Sequence, residues 1–175
     1  MSTKILALCG SLRSVSMNAA LLRAAARLAP AGIRVEPFDE IGLLPLFNPE
    51  LESAMPAPVQ ALHAKITSSH ALLIASPEYA HGVTGVLKNA LDWLVSFEGF
   101  VDKRVAIFNA SPRSVHADAQ LREILTTMSA NLVADACLAL PLRGTGISEQ
   151  GILDSGHAAD ISRALALLAS GAPRL

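Results

Sequence analysis

The sequence predicts one α/β domain over residues 1–175, a three-layer doubly wound sandwich around a five-stranded parallel sheet of order 2-1-3-4-5. Three observations lead there. Strand-like and helix-like patterns alternate five times along the chain. Two of the strand-like runs, Ile5-Leu6-Ala7-Leu8-Cys9 and Ala71-Leu72-Leu73-Ile74-Ala75, are apolar without alternation, as strands buried on both faces are. The 175 residues are 51% apolar and 17% charged, enough for one core and incompatible with disorder as a global description. Right-handed crossovers then give a doubly wound sheet, whose switch point lies between strands one and three.

Each element has its own justification. Ala19 to Ala29 follows the first strand, with Leu21, Leu22, Ala25 and Leu28 at helical spacing. Pro30-Ala31-Gly32 breaks that helix, and Ile33 to Phe38 reads as the second strand. Asp39 to Ala54 is irregular but apolar enough to pack as a surface loop. Pro56 and Pro58 sit in the first turn of a helix that ends near Ser69. Ala71–Ala75 is the third strand, followed by a loop from Tyr79 to Thr84 and a helix from Gly85 to Ser96. Val105–Phe108 is the fourth strand, Ala110–Ala117 a loop, and Leu121, Ile124, Leu125 and Met128 mark the next helix. Ala136–Leu140 is the fifth strand, and residues 142–156 are Gly-rich and irregular. Ala158–Ser170 is the closing helix, with Gly171 at C′.

Composition narrows the function classes. Lys and Arg total 14 against 15 Asp and Glu, a net charge of -1, with no basic run beyond Lys103-Arg104. That gives no footprint for nucleic acid. Mean hydropathy is +0.42, yet no apolar stretch reaches the roughly 20 residues of a membrane span. The apolar excess points instead to a sheet covered on both faces and to a subunit interface. The apolar run before Gly10 is too short for a secretory signal, so a cytoplasmic protein is expected. Cys9 and Cys137 have neither disulfide-framework nor metal-ligand spacing and read as buried free thiols. His63, His70, His116 and His157 also lack ligand spacing, so no metal site is expected.

The chemistry concentrates in Gly10-Ser-Leu-Arg-Ser-Val-Ser-Met-Asn18, a strand-to-helix turn. Such a turn points backbone N–H groups and the positive end of a helix dipole at one spot. Ser11, Ser14, Ser16, Asn18 and Arg13 add donors suited to phosphate. A Walker loop is excluded, because there is no second Gly and no Lys. A dinucleotide fingerprint is excluded, because only Gly10 is present. A tyrosine-phosphatase loop starting at Cys9 would need Arg at position 15, which is Val. A polar turn capped at Ser16 with nothing bound stays open as the alternative.

A second stretch, Ser76-Pro-Glu-Tyr-Ala-His-Gly-Val-Thr-Gly-Val-Leu-Lys-Asn-Ala-Leu-Asp-Trp93, follows the third strand. The first loop resembles the Gly-Ser-x-Arg-x-x-Ser-x-Asn phosphate loop of the NADPH-dependent FMN reductase family. The second resembles that family's Pro-Glu-Tyr loop and its Leu-Lys-Asn-Ala-φ-Asp-Trp helix. The resemblance covers essentially the whole chain and implies a flavodoxin-like fold. It implies FMN as cofactor, its phosphate held by Ser11, Arg13, Ser16 and Asn18, with Met17 in the same loop. Pro77, Glu78, Tyr79, His81 and Gly82 would lie against the isoalloxazine ring, and Ser111-Pro112-Arg113 would border it. The implied activity is ping-pong transfer of hydride from NADPH or NADH to FMN, then to free flavin, a quinone, an azo compound or chromate. No catalytic side chain is assigned, and the resemblance implies a homodimer or homotetramer. The chain departs from the family pattern at Ala80, where Asn is common, at Thr84, where Pro is common, and at Ser114-Val115-His116, where paired glycines are common.

Other readings stand beside these. Glu78 can cap a backbone turn, Asn89 can make a structural bond, and His81 and Arg113 can be ordinary exposed residues. Trp93, with Phe97 and Phe100 nearby, is expected at a subunit interface. A one-electron carrier of the flavodoxin type is the main functional rival, and a net charge of -1 argues against its charge-based docking. A module that kept the fold and lost activity is the other.

Overall fold

The computed structural model describes residues 2–142 and 147–171. The elements are β1 (Thr3–Cys9), α1 (Met17–Arg27), β2 (Ile33–Pro37), α2 (Ala57–Thr67) and β3 (Ala71–Ala75). A short hairpin follows, β4 (Glu78–Tyr79) and β5 (Gly82–Val83), and then α3 (Gly85–Asp92), β6 (Arg104–Asn109) and α4 (Val115–Thr127). The chain ends in β7 (Asn131–Leu132), β8 (Leu138–Ala139), α5 (Glu149–Leu153) and α6 (Ala158–Ala169).

The main sheet is parallel, ordered β2-β1-β3-β6, with β7 and β8 sharing the position beyond β6. This is the expected 2-1-3-4-5 order of a flavodoxin-like sheet, with its fifth position split. Alternation across the strands feeds two cores. Ile5, Ala7, Leu73, Ala106 and Phe108 face α1 and α6, while Leu6, Leu8, Leu72, Ile74 and Val105 face α2, α3 and α4. The first face is built largely from alanines, among them Ala7, Ala71, Ala75 and Ala106 against Ala20, Ala24, Ala25 and Ala164. The second uses larger side chains, including Trp93 and Phe100. No described helix is long and apolar enough to cross a membrane.

The fifth strand departs from expectation for a local reason. Instead of running continuously over 136–140, the edge pairs with Arg104–Val105 through β7, turns over Ala134–Ala136, and pairs again with Phe108–Asn109 through β8. In the gap, the Ile107 N–H donates to Cys137 Sγ at 3.4 Å. The thiol satisfies a ladder donor that a carbonyl would otherwise meet. Both cysteines are free.

Three helices also differ. α4 starts at Val115, inside the expected loop, and none of its own side chains caps it. α3 is shorter than expected, giving way after Asp92 to tighter turns such as Leu94 N–H to Leu91 O. α5 was not expected, and Ser148 caps it by accepting from the Gly151 N–H at 3.1 Å. Residues 143–146 of the expected Gly-rich segment lie outside the described residues.

Trp93 is not an interface residue. It is 2% exposed within a single chain, its Nε1 donates to the Pro45 carbonyl at 2.8 Å, and Phe47 meets its ring edge-on at 5.0 Å. Asn89 Oδ1 accepts from the Phe47 N–H at 2.8 Å, and its Nδ2 donates to the Pro45 carbonyl at 2.9 Å. Together they pin the 39–54 segment to α3; expected to be irregular, it forms two 3-10 helices, Asp39–Leu43 and Pro49–Ala54, on either side of the anchored residues. Burying a side chain as large as Trp removes it from water at a gain of ~25 cal/mol per Å².

Candidate functional site

Three loops leave the carboxyl ends of β1, β3 and β6 and converge, as the switch point requires. The first is tied to the second by a close approach. The Gly10 N–H donates to the Ala75 carbonyl at 2.9 Å, and a Cβ at Gly10 would lie 2.2 Å from Ser76 Oγ. Only glycine fits there.

The first loop makes a polar wall. The Arg13 N–H donates to Ser11 Oγ at 3.4 Å, and the Cys9 thiol donates to the Ser11 carbonyl at 3.6 Å. Ser16 is the N-cap of α1, accepting from the Ala19 N–H at 3.3 Å, which starts the helix two residues earlier than its apolar spacing suggests. Burial pushes the Cys9 thiol up, against the opposing pull of the Ser11 backbone, the Ser16 hydroxyl and Arg23. Cys9 is therefore a neutral strut of the loop and not a thiolate nucleophile.

The second loop is a two-residue hairpin. Glu78 pairs with Val83 and Tyr79 with Gly82, so Ala80 and His81 form the turn, at φ 49° and 60°. This is the doubly left-handed turn that Asn-Gly favours, here made by Ala-His. The hairpin is docked on α4. Glu78 Oε2 accepts from the Ala117 N–H at 2.9 Å, Gln120 Oε1 accepts from the Val83 N–H at 2.7 Å, and the His81 and His116 rings stack at 4.3 Å. Glu78 thus supplies the cap that α4 lacks in its own sequence. Thr84, at the family's usual Pro position, is the buried N-cap of α3, its Oγ1 accepting from the Leu87 N–H and lying 3.4 Å from Ser76 Oγ.

The third loop is held by Asn109, whose Oδ1 accepts from the Ser111 N–H and whose Nδ2 donates to the Ser114 carbonyl, both at 3.0 Å.

Between the loops lies a cleft of about 250 Å³. Ser11, Arg13, Ser16, Met17 and Asn18 line it from the first loop, Pro77, Glu78 and Tyr79 from the second, and Ser111 from the third. His81, Gly82 and Arg113 do not line it. His81 points to His116, Gly82 sits over Gln120, and Arg113 is exposed with its backbone N–H on Ser111 Oγ at 3.3 Å. Val15, Ser76, Ala110 and Ser114 also line the cleft, though none of them is among the expected cofactor-binding residues. Ser76 and Ala110 sit at strand ends, a positional signal the sequence did contain. A second hollow of about 410 Å³ shares Arg13 and Tyr79 with the cleft and is otherwise bounded by Gly10, Leu12, Thr84, Gly85 and Val86.

The donor set can be tested against a phosphate ester. Asn18 is 8% exposed, and its Oδ1 is buried with no hydrogen-bond partner among the described residues. A buried orphan acceptor costs about 1–3 kcal/mol, so a guest hydroxyl is its natural complement. The N-terminus of α1, the Ser11 hydroxyl and the Arg13 guanidinium suit an anion beside it. Phosphate next to a polyhydroxyl chain meets both requirements.

Comparison with known proteins agrees. The family model described as NADPH-dependent FMN reductase matches residues 3–143. A probable NADPH:quinone oxidoreductase of Oryza sativa subsp. japonica is 41% identical over 114 residues, which cover 61% of this chain and 57% of the rice protein. An NAD(P)H-dependent FMN reductase of Pseudomonas aeruginosa is 40% identical over 111 residues, covering 62% of this chain and 60% of that protein. These matches therefore span less than two thirds of the relatives' length. Among solved structures, FerB, a flavoenzyme NAD(P)H:(acceptor) oxidoreductase from Paracoccus denitrificans, superposes with a TM-score of 0.75 at 22% identity, over 95% of this chain and 97% of that one. That likeness concerns the fold. With the family model spanning β1 through β8 and all three loops of the cleft, the chain belongs to the NADPH-dependent FMN reductase family.

Proposed function

We propose that the cleft holds FMN and that the chain is an NAD(P)H-dependent oxidoreductase that reduces a small acceptor of the quinone or free-flavin class. The observation that carries this reading is the orphan Asn18 Oδ1 beside the open N-terminus of α1 and Arg13. Ser11, Arg13, Ser16 and the first-turn N–H groups of α1 would hold the phosphate. Asn18 Oδ1 would accept from a ribityl hydroxyl. Pro77, Glu78 and Tyr79 would flank the ring.

When bound, FMN supplies the hydride chemistry, taking hydride from the nicotinamide and passing it to the acceptor. The chain's own residues bind and orient. Glu78 accepts from the Ala117 N–H and so braces the cleft wall. Tyr79 is 53% exposed and lines both the cleft and the second hollow, so donor and acceptor would take turns on the face beside it. That shared access supports a ping-pong order.

A homo-oligomer and a cytoplasmic location belong to the same reading. With Trp93 committed to the core, the exposed apolar side chains available for association include Leu12, which lies near Gly42, and Leu43 and Leu46. Light scattering at micromolar protein should show a dimer or tetramer. A monomer throughout would remove that part of the proposal. The activity itself is tested by turnover. The FMN-loaded protein should oxidise NADPH or NADH when 1,4-benzoquinone or free FMN is added. Tight FMN binding without turnover on either donor would contradict it.

A further inference from the structure

The hairpin that forms one wall of the cleft is built from residues that do not favour its turn. Ala80 and His81 both sit in the left-handed region, at φ 49° and 60°. A side chain there is disfavoured relative to glycine. Among the described residues, three ties hold the hairpin, and all come from α4. Two are hydrogen bonds at its base, Glu78 Oε2 to the Ala117 N–H and Gln120 Oε1 to the Val83 N–H. The third is the stack of His81 on His116, with centroids 4.3 Å apart and planes within 21°. Among the described residues, only that contact grips the turn itself. His116 lines neither hollow, whereas Tyr79, next to the turn, lines both.

We propose that His116 is a positioning residue. By stacking on His81 it locks the strained Ala80-His81 turn and so fixes Tyr79, which lines both the cofactor cleft and the second hollow. The stack does the work that Asn-Gly chemistry does in an ordinary turn of this kind. Its consequence falls on acceptor entry more than on the phosphate end, because among the described residues no hydrogen bond joins residues 11–18 to the hairpin turn.

The structural half needs no cofactor. Amide hydrogen exchange on the FMN-free protein would be measured for residues 79–83 relative to β3, in the unmodified chain, His116→Ala and His116→Phe. Loss of an aromatic pair should speed hairpin exchange about 3–10-fold in His116→Ala. His116→Phe keeps a flat ring and should stay within about 2-fold of the unmodified chain. Ala80→Gly added to His116→Ala should return exchange towards the starting rate, because the turn no longer needs holding. Equal exchange in His116→Ala and the unmodified chain would overturn the lock, as would His116→Phe behaving like His116→Ala. The functional half rests on the reading of the site given above. With 1,4-benzoquinone as acceptor, His116→Ala should raise KM about 3–10-fold with kcat held within about 2-fold, and His116→Phe should restore it. A loosened hairpin with unchanged KM would overturn the claim on acceptor entry. Failure of every variant to turn over would instead count against the proposed activity, leaving the exchange result standing.

Discussion

Ser11-Leu12-Arg13-Ser14 and Ser111-Pro112-Arg113-Ser114 begin as the same piece of chain. Each follows a strand of the switch-point region, and in each the serine Oγ accepts from the backbone N–H of the arginine two residues on, at 3.4 and 3.3 Å. In each, the last strand residue braces the turn, Cys9 through its thiol and Asn109 through its amide. They diverge at the helix that follows. α1 is capped by its own Ser16, and its N-terminus opens on the cleft beside Arg13 and the unpartnered Asn18 Oδ1. α4 is capped by the Glu78 carboxylate from another loop, which meets the positive end of the helix dipole with a negative charge. A second anion at α4 would face that charge. The lesson is that a Ser-x-Arg turn does not by itself make an anion site; the helix end behind it has to be left unneutralised.

The sharpest way to break this comparison is to remove each arginine in turn. Arg13→Ala should weaken FMN binding by about 1.5–3 kcal/mol, the worth of a hydrogen bond to a charged group. Arg113→Ala, exposed and outside the cleft, should change it by less than about 0.5 kcal/mol. Titration of the FMN-free variants by flavin fluorescence reads both, and equal losses would erase the distinction.

The next contrast is Gly10 against Ala110, the residues that open the two loops. A Cβ is housed at 110, but at Gly10 it would lie 2.7 Å from Ser76 Cβ and closer still to the hydroxyl. Gly10→Ala should cost about 1–3 kcal/mol of stability as an overpacked contact. Denaturant melts check this, and an unchanged midpoint would mean the first two loops are not tightly joined.

Glu78→Ala removes the cap of α4 and should cost about 1–2 kcal/mol, with Gln120→Ala smaller. Ser16→Ala is the matched loss at α1 and should fall in the same range, about 0.5–2 kcal/mol. Thermal melts compare the two caps directly.

The smallest expected effect is the pH response of Cys9. Burial raises its pKa in the fold, so the native state keeps the proton while the unfolded chain gives it up. The contribution is complete below the ordinary thiol value of about 8.5 and is lost as pH rises from there through the folded value. The unmodified chain should lose slightly more stability between about pH 8 and 10 than Cys9→Ala does. Parallel melts at several pH values would show it.

Much of this arrangement was legible beforehand, for physical reasons. β1 and β3 are apolar on both faces, so their runs admit one reading, and their carboxyl ends place the first two loops. The Ser16 cap is local and also leaves a mark in sequence. The Gly10 approach does not, because the atoms that demand glycine there belong to Ser76 on another loop. What escaped notice was satisfied from a distance. α4 looked like a loop at its start because its cap comes from Glu78, 39 residues away. The fifth strand looked continuous because nothing in Ala136–Leu140 announces that Cys137 will take the Ile107 N–H. Trp93 looked like an interface residue because its partners, Pro45 and Phe47, lie in an irregular segment with no period to read. His81 and His116, scattered in sequence, meet only when the hairpin docks on α4.

The most direct test of the central claim is anaerobic mixing of the FMN-loaded protein with NADPH, and separately with NADH, while the flavin absorbance is followed. The account predicts rapid bleaching of the flavin band with at least one donor, abolished in proportion to lost cofactor in Arg13→Ala and retained in Arg113→Ala. Flavin that stays bound and oxidised with both donors would contradict it.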